Sequence, residues 1–254
     1  MSDLPTAHAI IQLYSVREDL DADTRTTVAR LRAAGVTGVE LYRVGAGEPR
    51  EGLLTLLADE GIDVIAGHGT YLDSQLRPDN AVLDAAVAAG VGILLLPAPP
   101  AGLVFDAQTL ERIADAINEA VAPARDRGLR LGYHNHWSEV ARAADGRTLL
   151  EHFHERVDPA VTFEVDTYWA AAGGADVALI LTRLGGRVGF IHLKDGGLAL
   201  NADGQTPLGE GQVPIARILS STDAVRILEF DRYPGDVIAA LAQGLRRLAA
   251  GDFE

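Results

Sequence analysis

The chain has 254 residues, 22 basic against 36 acidic, for a formal net charge of −14. An acidic chain without a basic run is unsuited to nucleic acid or anionic membranes, where clustered Lys and Arg supply the binding. It has no cysteine, which excludes disulfides, thiolate metal ligands and a cysteine nucleophile.

The opening segment MSDLPTAHAI lacks a basic stretch followed by an apolar run, and no apolar run reaches about 18 residues, so a cytoplasmic chain without a membrane span is expected. Short apolar runs then recur at Ala9–Leu13, Gly38–Tyr42, Asp63–Gly67, Gly92–Pro97, Leu129–His134, Val161–Asp166, Val188–Leu193 and Arg226–Glu229. Amphipathic stretches separate them, among them Asp21–Ala34, Glu51–Glu60, Asn80–Ala89, Asp106–Arg127 and Ala175–Leu184, and Asp236–Ala250 closes the chain. Gly35, Gly61, Gly90, Gly128 and Gly185 each stand where a helix must end before a strand begins. Eight strand–helix units in about 250 residues predict an α/β chain folded as one (β/α)8 TIM barrel domain over residues 1–254. A doubly wound sheet fits less well, because IQLYSVRED follows the first strand in place of G-x-G-x-x-G.

Chemistry in such a barrel sits at the C-terminal strand ends. Strand 2 runs into Glu40, strand 3 into His68, strand 5 into His134 and His136, and strand 6 into Glu164 and Asp166. Strand 7 runs into His192 and Lys194, and strand 8 into Glu229 and Asp231. Residues two apart on a strand share a face, so the last four strands each offer a same-face pair. Taken singly, an acid here is an ordinary helix cap or loop residue, and a histidine an ordinary core residue. Their recurrence at one end of four consecutive strands favours a shared site, since so many polar groups facing a core need a cation or partner to offset desolvation. Oxygen and nitrogen donors without thiolate point to Mn²⁺ or Mg²⁺, with Co²⁺ and Zn²⁺ as alternatives.

The segments IQLYSVRE, GVELY, GYHNHWSEV, FEVDTYWA, FIHLKDG, LGEG and ILEFD occur in this order from Ile10 to about Leu248. Together they resemble the sugar phosphate isomerase/epimerase family of xylose isomerase-like TIM barrels. The resemblance implies a divalent metal held by a Glu, an Asp, a His and a second Glu at the ends of strands 5 to 8. Asp166, His192 and Glu229 match the last three positions. The strand-5 position falls on His134, within His-Asn-His. Either Glu139 reaches back from the loop or His134 or His136 takes its place; Glu139 is favoured because a second anion better neutralises the cation. Trp169 stands where epimerases of this type often have a histidine. An indole stacks on a sugar but accepts no proton, which counts against simple ketose C3 epimerisation; packing at a helix start is the alternative.

The implied chemistry is removal of a proton from the carbon between a carbonyl and a hydroxyl, giving a metal-stabilised enediolate. Glu229 is expected to double as acid/base, and His136 or His134 to be the second proton carrier. Lys194 is expected to steady an oxyanion or hydroxyl, or else to pair with Asp195 or Asp231. It is also the single lysine among 22 basic residues, which composition bias and chance explain less comfortably once it falls beside a predicted ligand. Glu40 and His68 would line the pocket. Glu210, in the LGEG segment of the Gly-rich loop after strand 7, would touch substrate if that loop is a lid rather than a plain connection. The absence of a phosphate cradle points to a small unphosphorylated sugar or sugar-derived ketone as partner, and a homo-oligomer is compatible with the barrel. The expected enzyme is an isomerase or epimerase. A lyase or dehydratase of a keto-sugar or inosose is the alternative, suggested by His-Asn-His and Trp169. Cleavage of abasic DNA, opposed by the charge, and a non-catalytic binding barrel rank lower.

Overall fold

The computed structural model describes residues 10–100 and 106–253, so Ala9 of the first expected strand and the eight residues before it lie outside the described residues. Eight parallel strands close into a barrel: β1 (Ile10–Gln12), β2 (Gly38–Leu41), β3 (Asp63–His68), β4 (Ile93–Leu96), β5 (Arg130–His134), β6 (Thr162–Asp166), β7 (Val188–Leu193) and β8 (Val225–Leu228). Their order around the barrel is their order in the chain, and β8 pairs back onto β1. Around them lie α1 (Arg17–Ala22), α2 (Thr24–Ala33), α3 (Leu53–Asp59), α4 (Asn80–Ala88), α5 (Ala107–Asp126), α6 (Leu149–Arg156), α7 (Thr167–Ala172), α8 (Val177–Leu184), α9 (Ile215–Leu219) and α10 (Val237–Ala250). No helix among the described residues is long and apolar enough to cross a membrane.

Local chemistry sets the helix ends. Asp23, Asp79, Asp106, Asp176 and Asp236 cap α2, α4, α5, α8 and α10 with side chains that accept first-turn backbone N–H groups. The five glycines expected to stop helices all have positive φ, from 58° at Gly185 to 90° at Gly35. The short helices α6, α7 and α9 are absent from the periodicity reading. Helix α6 is started by a capping box, Thr148 with Glu151, while α7 is only six residues long and begins on Asp166, a residue whose spacing reads as a strand end.

Alternation along the strands divides the core in two. Ile10, Ala66, Phe190 and Ile227 belong to a small apolar cluster, each two residues before Gln12, His68, His192 and Glu229. By period two, this cluster is the floor beneath a polar layer at the C-terminal end. Side chains of opposite parity, such as Tyr133, Phe163, Val165 and Ile191, join the larger core between strands and helices. Below His134 the floor is so tight that a Cβ on Gly132 would approach Thr162 O to 2.8 Å and Leu95 Cδ2 to 2.9 Å. Strand register shifts just before Glu40 and just before Glu164, and such irregularities re-aim the side chains that follow.

The loop after β7 is anchored, which favours the plain connection over the lid. The Asp195 carboxylate accepts hydrogen bonds from the backbone N–H groups of Gly196, Gly209, Gly211 and Val213 at 2.8–3.0 Å. Gln205 donates to Asp231 Oδ2 at 2.8 Å and accepts from the Asp231 N–H at 2.8 Å, tying the loop to the end of β8. The glycines of LGEG answer to this packing, since a Cβ on Gly211 would stand 2.2 Å from Asp195 Oδ1. Glu210, expected on the substrate, is instead exposed and accepts from Gln243 on α10. Replacing Asp195 with Ala strands four backbone donors, two of them against buried surroundings. A loss of about 2–4 kcal/mol in urea unfolding is expected, whereas a change within about 0.5 kcal/mol would mean the loop holds itself without this anchor.

Candidate active site

The polar layer is one connected network of side chains from seven strand ends. Pairing of His134 with Glu164 and of Asp166 with His192 puts the ends of β5, β6 and β7 side by side. Glu164 Oε2 is thereby ringed by His68 Nε2 at 2.6 Å, His134 Nδ1 at 2.9 Å and His192 Nε2 at 3.2 Å. His192 reaches both ways, with Nδ1 2.7 Å from Glu229 Oε2 and Nε2 2.7 Å from Glu40 Oε2. Gln12 donates to that same Glu40 oxygen at 2.6 Å.

Lys194 completes the ring. Its Nζ lies 2.8 Å from Asp166 Oδ2, 2.6 Å from Glu229 Oε2 and 2.8 Å from Asp231 Oδ2. Asp166 Oδ1 caps α7 by accepting the Trp169 N–H at 2.9 Å, which fixes Trp169 beside the network, 5.7 Å from Lys194 Nζ to the ring centre. Glu40, Glu164, Asp166 and His192 are fully buried, and Lys194 is 2% exposed.

Burial and neighbouring charge separate the titrating groups. Burial, reinforced by Glu164, pushes Glu40 up to about 7. Burial drives His134 well below the usual histidine range, leaving a neutral imidazole. It acts on His192 in the same direction, but Glu164, Glu229 and Glu40 outweigh it and hold that ring well above the range. Burial would also raise Glu229, yet Lys194 and His192 keep it well below the ordinary carboxylate value.

The donors fit a hard or borderline divalent cation. Two groups have ligand atoms within 4.8 Å of one another, Asp166 with His192 and Glu229, and His68 with His134, Glu164 and His192. Three buried carboxylate oxygens, Glu40 Oε1, Glu164 Oε1 and Asp166 Oδ2, have no hydrogen-bond partner among the described residues. An unsatisfied anionic oxygen in a buried site is costly, and a cation is the simplest way to offset it.

The profile of the xylose isomerase-like TIM barrel family matches residues 28–249. The chain belongs to this family. A relative named 2-epi-5-epi-valiolone 7-phosphate 2-epimerase, from an Actinoplanes species, is 33% identical over 222 residues, covering 79% of this chain and 78% of its own. Two solved structures share the xylose isomerase-like barrel. A sugar phosphate isomerase/epimerase from Parabacteroides distasonis superposes with a TM-score of 0.80 at 20% identity, over 100% of this chain and 97% of the other. The probable 3-DHS dehydratase AsbF from Bacillus anthracis gives 0.71 at 18%, over 94% and 98%.

Within this xylose isomerase-like barrel, Glu40, His68, His134, Asp166, His192, Lys194 and Glu229 meet in the network. Glu139, expected as the first ligand, does not join them. Its carboxylate accepts from Tyr133 OH at 2.8 Å and Ser138 Oγ at 2.7 Å, and Tyr133, of opposite parity to His134, packs on Phe153 of the helix layer. Glu139 therefore belongs to the outer side of β5. His134 lies nearer the network, with Nε2 3.7 Å from Asp166 Oδ2. His136 lies past the strand end, half-buried, its ring 5.1 Å from that of His134. Lys194 pairs with Asp231 but not with Asp195, which faces the loop amides. Glu164 stands among the strand-end acids legible in the sequence, without a role of its own beside the motif residue Asp166; Gln12 does not, because a neutral amide near the end of the first strand gives no signal of a titrating site.

Glu164→Ala removes the acceptor shared by three imidazoles, and a loss of about 3–5 kcal/mol in urea unfolding is expected; a cost under about 1 kcal/mol would show that the histidines do not depend on it. Metal analysis of Mn²⁺-loaded protein separates the two candidates for the strand-5 ligand. His134→Ala is expected to lower Mn²⁺ content and Glu139→Gln to leave it at the wild-type level, and the reverse pattern would restore Glu139.

Proposed function

We propose that the chain is a divalent-cation-dependent isomerase or epimerase acting at the carbon beside the carbonyl of a sugar, keto-sugar or keto-cyclitol. The observation that carries this reading is the convergence of Asp166, His192 and Glu229 at the C-terminal mouth of the barrel, with ligand atoms within 4.8 Å of one another and His134 Nε2 3.7 Å from Asp166 Oδ2. The 33% identical relative supports it, being named for a 2-epimerase. Asp166, His192, Glu229 and His134 would hold the cation. Bound there, it supplies Lewis-acid polarisation of a carbonyl and its neighbouring hydroxyl, which acidifies the intervening C–H.

The chain's own groups handle the proton and exclude water. Glu229 takes the proton, and His136, its ring 5.1 Å outside that of His134, relays one on the β5 side. Lys194 donates to the oxygen on which charge develops. Trp169 is 4% exposed and, with the partly exposed Trp137 at 5.0 Å, walls the mouth on the side of α7; its buried Nε1 has no hydrogen-bond partner among the described residues and suits a substrate hydroxyl.

A lyase acting on a similar ketone is the second reading. It is favoured by Trp169, which returns no proton where a histidine would. Both readings share abstraction of the α-proton, so the decisive assay is ¹H NMR in D₂O with Mn²⁺ and a panel of ketoses and keto-cyclitols. Free and phosphorylated forms are both included, because the relative is named for a 7-phosphate. Deuterium entering the α-carbon of a mass-neutral product, with at least about 100-fold slower exchange in Asp166→Asn, is expected. Loss of water from the product would establish the lyase, and the absence of exchange across the panel would overturn both enzymatic readings.

A further inference from the structure

We infer that Lys194 is a built-in counter-ion which competes with a divalent cation for Asp166 and Glu229, and that Asp231 is the partner it keeps when it gives way. The inference rests on the cation site of the proposed function. Lys194 Nζ already contacts the two carboxylate oxygens that such a site requires, Asp166 Oδ2 at 2.8 Å and Glu229 Oε2 at 2.6 Å. A cation bridging those oxygens and an ammonium in the same place would repel each other at contact distance, so one must yield.

The contacts show which one. The contact with Asp231 Oδ2, at 2.8 Å, has hydrogen-bond geometry. Asp166 Oδ2 and Glu229 Oε2, equally near, hold Lys194 as ion pairs. A divalent cation would take over the charge compensation that these two ion pairs supply. Asp231 stands outside the ligand set, 21% exposed at the rim, and Gln205 steadies it with a 2.8 Å donation to the same oxygen and a 2.8 Å acceptance from its backbone N–H. The lysine stem is flexible and its ammonium compact, so Nζ can leave Asp166 and Glu229 while keeping Asp231.

Two consequences follow. Cation loading and placement of the ammonium become one event, since the charge that enters the ring moves Lys194 toward the substrate side of the mouth, where Asp231 lies. The lone lysine of an arginine-rich chain is also accounted for, because a planar guanidinium with its fixed fork of donors neither fits among three carboxylates nor swings free on one of them.

The test is calorimetric titration of Mn²⁺ into chelator-stripped wild type, Lys194→Met and Asp231→Asn, with thermal melting in chelator and in Mn²⁺. Lys194→Met is expected to bind Mn²⁺ at least tenfold more tightly than wild type, to melt lower in chelator and to regain its stability in Mn²⁺. Asp231→Asn, which keeps the ammonium but removes its refuge, is expected to bind several-fold more weakly. A lysine that merely supports the fold would weaken binding in Lys194→Met. Unchanged or weaker binding there overturns the counter-ion role while leaving the cation site standing. Wild-type affinity in Asp231→Asn overturns it as well, and does so even if Lys194→Met fails to fold. Tighter binding in Lys194→Met alongside no α-proton exchange would support the counter-ion and sink only the enzymatic reading; no Mn²⁺ binding by folded wild type and Lys194→Met would overturn both.

Discussion

Four carboxylates, those of Glu40, Glu164, Asp166 and Glu229, are buried together at one end of the barrel, and the arrangement of that end is governed by the need to compensate them. Unpaired, each would carry a desolvation cost of several kcal/mol. The chain meets this with three imidazoles around one Glu164 oxygen and an ammonium among three carboxylates. The network is held from below by the apolar floor of Ile10, Ala66, Phe190 and Ile227, which keeps water from reaching the acids from the barrel interior.

Several residues carry two duties at once, which is how so polar a layer is kept rigid. Asp166 gives one oxygen to the first turn of α7 and leaves the other to the network. Asp231 accepts from Lys194 and Gln205 together, so the loop after β7 and the charged ring support each other. Asp195, next to Lys194 but of opposite parity, turns its carboxylate to the loop amides and not to the ring. Preorganisation of this kind is what acid–base chemistry at a carbon acid requires, because donors already in place need not reorganise as charge develops.

Compensation in the ring is incomplete by design of its geometry. The oxygens of Glu40, Glu164 and Asp166 that lack partners are on residues from β2 and β6, the two strands whose register shifts just before the acid. An inward surplus of acid of this kind suits a cation.

The eight-fold alternation, the glycine stops and the acids and histidines at strand ends were all legible in the chain by itself, because period, turn chemistry and polarity are local properties. From them came the barrel, its polar end and the residues Glu40, His68, His134, Asp166, His192, Lys194 and Glu229. Local properties could not rank neighbours in space. Charge balance favoured Glu139 over His134, on which the motif position falls, yet the parity of Tyr133 draws Glu139 to the outer side of β5; glycine content left a lid or a plain connection open, and four hydrogen bonds to Asp195 pin the loop. That Glu164 rather than Glu139 gathers the histidines, and that Lys194 stands between Asp166 and Glu229, was decided only when barrel closure and strand register set the distances between strands far apart in the chain.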